Sequence, residues 1–297
     1  MMIRKTPFVL GVGELLWDML PDGKQCGGAP ANVIYHLTQL GIESAILSAV
    51  GDDAPGYELL DFLRSKKVCT DFIGMNLLRT GIVDVTLENG IPQYEIRRPA
   101  AWDDIVLPDS LRKILPRVSA AIFGTLAQRD PRSRKTIREL LKEIPDHALK
   151  IFDINLRQNF YDGEVIRSSL ELADILKINE DELIAVSEIF GIPGDDRAVV
   201  TALAKRFSLR CVILTLGSKG SRLFDGRSFF DYPVLPCKVV DTVGCGDSFL
   251  AAWCAAVLKG GSYHDAMLAG TELSAKVAGQ HGAISKRTTP FSQAIRS

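Results

Sequence analysis

Charge of one sign is almost missing from this sequence: 35 Lys and Arg stand against 36 Asp and Glu, leaving a formal net charge of −1. Nucleic-acid binders concentrate positive charge to neutralise phosphates, and no stretch does so here, so a nucleic-acid partner is not expected. No apolar run reaches the ~18 residues of a membrane span, which argues against a membrane partner. Pro7, Gly11, Gly13 and Glu14 interrupt Met1–Trp17, so a signal peptide is not expected either. The six cysteines (Cys26, Cys69, Cys211, Cys237, Cys245, Cys254) include no CxxC pair and no zinc-site spacing. Reduced thiols and a cytoplasmic location are the expectation. The four histidines, His36, His147, His264 and His281, are too scattered to suggest a metal cage or a His-based triad.

The common nucleotide and hydrolase motifs are missing too. Gly217-Ser218-Lys219-Gly220-Ser221 has the wrong spacing for a P-loop. Gly11-Val12-Gly13 follows an apolar run, but Leu16 stands where the third glycine of a dinucleotide fingerprint would fall. HRD, DFG, GxSxG and HExxH are absent.

What is present is ordinary soluble composition, 46% hydrophobic and 24% charged. At 297 residues the chain is long enough to bury a large core without staples, and 1–297 reads as a single domain. Apolar runs at Phe8–Val12, Ser44–Val50, Ala120–Phe123, Lys150–Ile154 and Cys211–Leu216 predict buried strands. Pro30–Leu40, Gly56–Lys67, Ser133–Glu143, Glu180–Phe190 and Arg197–Phe207 predict helices between or after them. This alternation predicts an α/β fold with a mostly parallel central sheet covered by helices. Gly81–Glu88 and Ile91–Arg98 break the pattern as a hairpin around Asn89-Gly90. That hairpin reads either as a small lid or as a surface decoration.

The strongest local signal is Asp241-Thr242-Val243-Gly244-Cys245-Gly246-Asp247-Ser248-Phe249, followed by a helical run, Ser248–Leu258. Glycines before a helix let backbone N–H groups approach a ligand closely. The helix start leaves unpaired donors and a partial positive charge. Together they form an anion hole suited to a transferring phosphoryl group. Asp247 at its mouth is placed to take the proton of an attacking hydroxyl, and the helix end should keep it ionised. The plainer reading of Asp247 is an N-cap.

DTVGCGDSF resembles the C-terminal signature of the ribokinase-like (PfkB) carbohydrate kinases, with Cys245 where alanine is usual. Gly27-Gly28-Ala29-Pro30-Ala31-Asn32 resembles the family's first signature, and Gly51-Asp52-Asp53 with Gly56 its continuation. Asn179-Glu180-Asp181-Glu182 is similar to its Asn-x-x-Glu element, and Thr215–Gly220 to its nucleotide loop. These motifs run in family order from about Gly11 to Ala283. The resemblance implies a three-layer α/β/α kinase with a β-lid, drawn mainly from about 73–101 and part of 13–25. It implies ATP and Mg²⁺ as cofactors, K⁺ in some members, and a homodimer through paired lids.

The same resemblance implies roles. Asp247 is the base, with Gly244, Cys245 and Gly246 in the anion hole. Asp18, Gly27, Gly28 and Asn32 face the sugar; alone, Asp18 would read as a turn residue. Asn179, Thr215, Gly217 and Gly220 line the nucleotide. Glu182 organises Mg²⁺ through water, unless it is a solvated helix face. Asp241 stands where some members bind a monovalent cation. Gly27–Asn32, Arg98–Ala101 and Asp153–Arg157 resemble fructokinase-type members most closely, pointing first to D-fructose. The 2-keto-3-deoxygluconate kinases share this pattern; Arg98 and Arg157 would suit their acidic substrate. Other sugars, nucleosides and a silent sugar sensor on the same fold stay open. Cys245, beside a helix N-terminus, reads either as a reactive thiol of lowered pKa or as an inert filler.

Overall fold

The computed structural model describes residues 6–20, 23–88 and 91–284; the expected turn at Asn89-Gly90 lies outside them. Phe8–Val12 (β1), Leu16–Leu20 (β2) and Gly23–Gly27 (β3) lead into the helix Ala29–Gln39 (α1). Glu43–Gly51 (β4), Ala54–Ser65 (α2), Ile73–Asn76 (β5), Gly81–Glu88 (β6) and Ile91–Ile96 (β7) follow. Next come a short helix, Asp109–Arg112 (α3), then Val118–Phe123 (β8) and Pro131–Glu143 (α4). Leu149–Asp153 (β9), Gly163–Leu172 (α5), Ile175–Asn179 (β10), Glu180–Phe190 (α6), Asp196–Phe207 (α7) and Cys211–Thr215 (β11) continue the alternation. Ser221–Phe224 (β12), Phe229–Tyr232 (β13), Cys245–Leu258 (α8) and Tyr263–Ala278 (α9) complete the described elements.

Nine strands pair in the order β13-β12-β11-β10-β9-β8-β1-β4-β5. From β11 to β5 every pairing is parallel, and β12 and β13 extend the β11 edge antiparallel. Side chains alternate between the two faces. In β10, Leu176 and Ile178 join a core with Ile137, Leu170, Leu183 and Leu203 from α4 to α7. Ile175 joins the opposite core with Ile34, Leu60, Leu250 and Met267 from α1, α2, α8 and α9. Two helical layers therefore sandwich one sheet, and burying each such side chain stabilises by about 1.5–3 kcal/mol. Lys177, two residues on from Ile175, shares its face, so a charge occupies an inward position next to α8.

A second sheet runs β3-β2-β6-β7. The segments expected to form a lid thus divide: β2, β3, β6 and β7 build this small sheet, while Ile73–Asn76 edges the main one. Among the described residues no helix is long and apolar enough to cross a membrane. All six cysteines are free thiols.

The strands and helices expected from the sequence are found within one to two residues of most predicted ends. Strands β10, β12 and β13 and helices α3, α5 and α9 add to them. The helix expected at Ser248–Leu258 begins three residues earlier, at Cys245, so Asp247 is not its N-cap but lies inside its first turn.

Candidate active site

In the main sheet β1 has β4 on one side and β8 on the other, so the order of strands reverses there. Crevices at such a reversal, beyond the carboxyl ends of parallel strands, are where open α/β sheets hold ligands. Glu14 follows β1, Asp153 ends β9, Asn179 ends β10 and Thr215 ends β11, all on that edge. Helices α1 and α8 pack together there.

Helix α8 lacks what the other late helices have. Asp195 caps α7 and Ser262 caps α9 with side-chain oxygens, whereas Gly244 leaves α8 without a side-chain cap. The Cys245 amide donates to the Thr242 carbonyl at 3.2 Å. The amides of Gly246 and Asp247, in the first turn, have no intrahelical partner by geometry. Gly244 adopts φ +76°, and an added Cβ would overlap Ala283. At Gly246 an added Cβ would lie 3.2 Å from the ammonium of Lys177. The two glycines thus admit Ala283 on one side and a buried cation on the other.

Asp247 is half-buried at the start of α8, and its Oδ2 accepts from Asn32 Nδ2 at 2.8 Å. The other amide atom, Asn32 Oδ1, is buried with no partner. Burial, with Asp153 adding to it, raises the Asp247 pKa, although Lys177, Asn32 and Arg157 oppose the rise. The helix end was expected to keep Asp247 ionised; burial and a second carboxylate act in the opposite direction. A carboxylate made more basic in this way is a better proton acceptor.

Lys177 and Asp153 are register partners on β10 and β9, and Lys177 Nζ lies 2.7 Å from Asp153 Oδ1. Burial alone would push the ammonium down, but Asp153, Glu182 and Asp247 together hold its pKa above the usual value. Asp153 Oδ2 is buried with no partner. Neither residue was assigned a role from the sequence. The available signal was one lysine in the apolar run Ile175-Leu176-Lys177-Ile178.

Asn179 and Glu182 form a reciprocal capping box on α6. Glu182 N donates to Asn179 Oδ1 and Asn179 N to Glu182 Oε2, both at 2.9 Å. Glu182 Oε1 also accepts from Leu156 N at 3.0 Å. Glu182 is therefore a buried carboxylate, not a solvated helix face; burial raises its pKa while Lys177 opposes.

On the other side of Asp247 stand Glu14, Asp18 and Arg157. Gly27, opposite Leu16 in the β2–β3 pairing, brings its backbone against the Asp18 carboxylate, and Gly28 caps α1. Burial raises the Asp18 pKa to about 6, with Arg157 opposing and Asp247 assisting. Glu14, buried, accepts from the Ala29 amide at 3.1 Å; sequence reasoning passed it over. Arg157 is exposed and acts electrostatically on all three carboxylates. Arg98 instead reaches Asp130, at 3.8 Å, and is half-exposed.

Thr215, Gly217 and Gly220 form one tight turn, with Leu216 N donating to Gly220 O at 2.8 Å. The Asp241 carboxylate accepts from Val243 N and Gly282 N, each at 2.9 Å. Cys245 turns its Sγ toward the carbonyl of Ser274, at 3.7 Å, and burial pushes its thiol up. The lowered pKa that its place at a helix start suggests is therefore corrected: desolvation and nearby Asp241 and Asp247 win.

The uncharacterized sugar kinase PH1459 of Pyrococcus horikoshii is 31% identical over 269 residues, 84% of this chain and 83% of that protein. Its crystal structure in complex with ATP matches with a TM-score of 0.79 and 28% identity over 93% of each chain. A fructokinase of Klebsiella pneumoniae is 30% identical over 256 residues, 81% of each chain. The fructokinase of Xylella fastidiosa with bound ATP shares the fold, with a TM-score of 0.82 over 94% of each chain at 21% identity. Residues 22–290 match the family described as pfkB family carbohydrate kinase. With nearly its whole length inside that match, the chain belongs to the pfkB family of carbohydrate kinases.

Proposed function

We propose that this kinase transfers the γ-phosphoryl group of ATP to a hydroxyl of a neutral sugar, with D-fructose as the first candidate. The observation that carries this reading is Asp247, bonded to Asn32 and raised in basicity, beside the uncapped start of α8 and the Lys177 ammonium. Asp247 accepts the hydroxyl proton as the oxygen attacks. The amides of Gly246 and Asp247, helped by Lys177, take up the charge on the transferring group. Asn32 Oδ1, lacking a partner, is free to accept from a sugar hydroxyl.

The charges around the site favour a neutral sugar. Glu14, Asp18 and Asp247 face the Arg157 guanidinium, while the Lys177 ammonium is already paired with Asp153. A carboxylate substrate such as 2-keto-3-deoxygluconate would meet mostly like charge, and Arg98 is already engaged with Asp130. Asn179, Thr215, Gly217 and Gly220 are proposed to hold the nucleotide. Mg²⁺ fits this donor set as a hydrated ion, since it gives up its waters reluctantly. The buried Asp153 Oδ2 and Glu182 are suited to hold its waters. When bound, it would neutralise the ATP phosphates. Asp241 is the candidate for a K⁺ site. The small sheet is read as a lid that excludes water, one unit with the kinase core and the surface of a homodimer. The cytosol is its expected compartment.

A coupled ADP-release assay over a sugar panel tests the reading. D-fructose should give the highest kcat/KM. A clear preference for ketodeoxygluconate would transfer the assignment to an acidic sugar, and no sugar-stimulated ADP release would make the protein a silent binder.

A further inference from the structure

His36 lies one helical turn beyond Asn32 on α1, is wholly buried, and takes no part in the chemistry above. Its Nε2 is 3.0 Å from the carbonyl oxygen of Ala283. A carbonyl only accepts, so Nε2 carries the proton and Nδ1 is bare. Nδ1 is buried without a partner. Burial pushes the ring down to about 4, so it is neutral at neutral pH. An apolar side chain of similar size would fill this space without orphaning a nitrogen. Packing alone therefore does not account for an imidazole here.

Ala283 is the residue that Gly244 must be a glycine to admit. Next to it, Gly282 N donates to Asp241 Oδ2 at 2.9 Å, and Asp241 Oδ1 accepts from Val243 N. The segment at 282–283 is thus tied at two points, once to Asp241 and once to His36, and it presses on the residue that opens α8. Positions i and i+4 share a helix face. From one face of α1, Asn32 therefore reaches the base and His36 reaches the support of the anion hole.

We propose that His36 is a positioning residue for phosphoryl transfer. Through Ala283 it holds Gly244, and with it the free amides of Gly246 and Asp247, at a fixed offset from the carboxylate that Asn32 holds. This rests on the role given above to Gly244–Asp247. One rigid helix, not two independent loops, then sets the spacing between base and anion hole.

Three variants test it: His36→Leu, without a donor; His36→Asn, whose shorter donor falls short of Ala283; and His36→Gln, whose amide can still reach. Kinetics would be combined with hydrogen exchange of the peptides covering 241–248 and 279–284, measured without substrates. The Leu and Asn variants should lose about tenfold in kcat, with KM for the sugar changed less than about twofold. Both peptides should exchange faster, and Gln should restore most of the loss on both readouts. Wild-type kcat in His36→Leu, unchanged exchange, or equal losses in all three variants tracking a lower Tm would overturn the proposal. The exchange readout needs no turnover. A fully active Asp247→Asn enzyme would thus defeat the reading of the site while leaving the hold of His36 on Ala283 separately measured.

Discussion

Asn32 and Asp247, 215 positions apart, are joined by a 2.8 Å hydrogen bond from the Asn32 amide to the Asp247 carboxylate. The bond favours the ionised carboxylate, so its loss should raise the pKa of the base further. Asn32→Ala should therefore shift the acidic limb of the kcat–pH profile to higher pH and raise KM for the sugar. KM for ATP should change little. A profile superimposable on wild type would show that the bond does not tune the base.

Asp247→Asn keeps the shape of the side chain but removes its basicity. It should lower kcat by about 10²–10⁴ while ATP binding, followed by calorimetry, is largely kept. Near-normal turnover in the folded variant would remove Asp247 from the role of base.

Breaking the Lys177–Asp153 pair should act on both stability and rate. Lys177→Met leaves Asp153 buried and uncompensated, at a cost of about 3–5 kcal/mol. Adding Asp153→Asn should recover much of that stability without recovering kcat, because the cation next to Gly246 is still missing. If the double variant also regains turnover, Lys177 is only a structural counter-ion.

Asp18, with its pKa raised to about 6, should titrate across the working range. As pH falls through about 6 it becomes protonated and loses acceptor capacity, so KM for the sugar should rise while KM for ATP stays level. Stability has the opposite sign. A raised carboxyl favours the fold below the unfolded pKa, and that advantage is lost as pH rises through about 6. Asp18→Asn should therefore be more stable than wild type at pH 8, by as much as about 3 kcal/mol less what water screens. Urea titrations at pH 5 and pH 8 would check this; an equal effect at both would contradict it.

Cys245 should be a poor nucleophile, since burial pushes its thiol up. Iodoacetamide should label the exposed Cys237 first, as read by peptide mass spectrometry. Cys245→Ala should keep wild-type kcat. Inactivation that ATP prevents and that Cys245→Ala abolishes would restore the reactive reading.

The sequence revealed most where local chemistry is strong. Strands buried on both faces appear as apolar runs, which is why β1, β4, β8, β9 and β11 were legible. The glycines around Cys245 marked the uncapped helix. Their partners were not legible, because Lys177 meets Asp153 only through the register of two strands, and His36 meets Ala283 across 247 positions. The start of α8 was misplaced because Cys-Gly-Asp has weak helix propensity, although the helix begins there at Cys245. For Glu182 the acidic neighbours left a solvated face open beside the Mg²⁺ role, and the backbone amide of Leu156, which the sequence does not reveal, draws the carboxylate inward.

The central place of β1 bears on how the molecule is made. It is the first described strand, yet it lies between β4 and β8. As the chain emerges during synthesis, β4 can cover one edge early. The other edge waits for Val118–Phe123. A hydrophobic strand with an open edge is an invitation to pair with the wrong neighbour. The same order that gathers residues from both ends of the chain around Asp247 leaves a nascent chain exposed until Val118–Phe123 has been made.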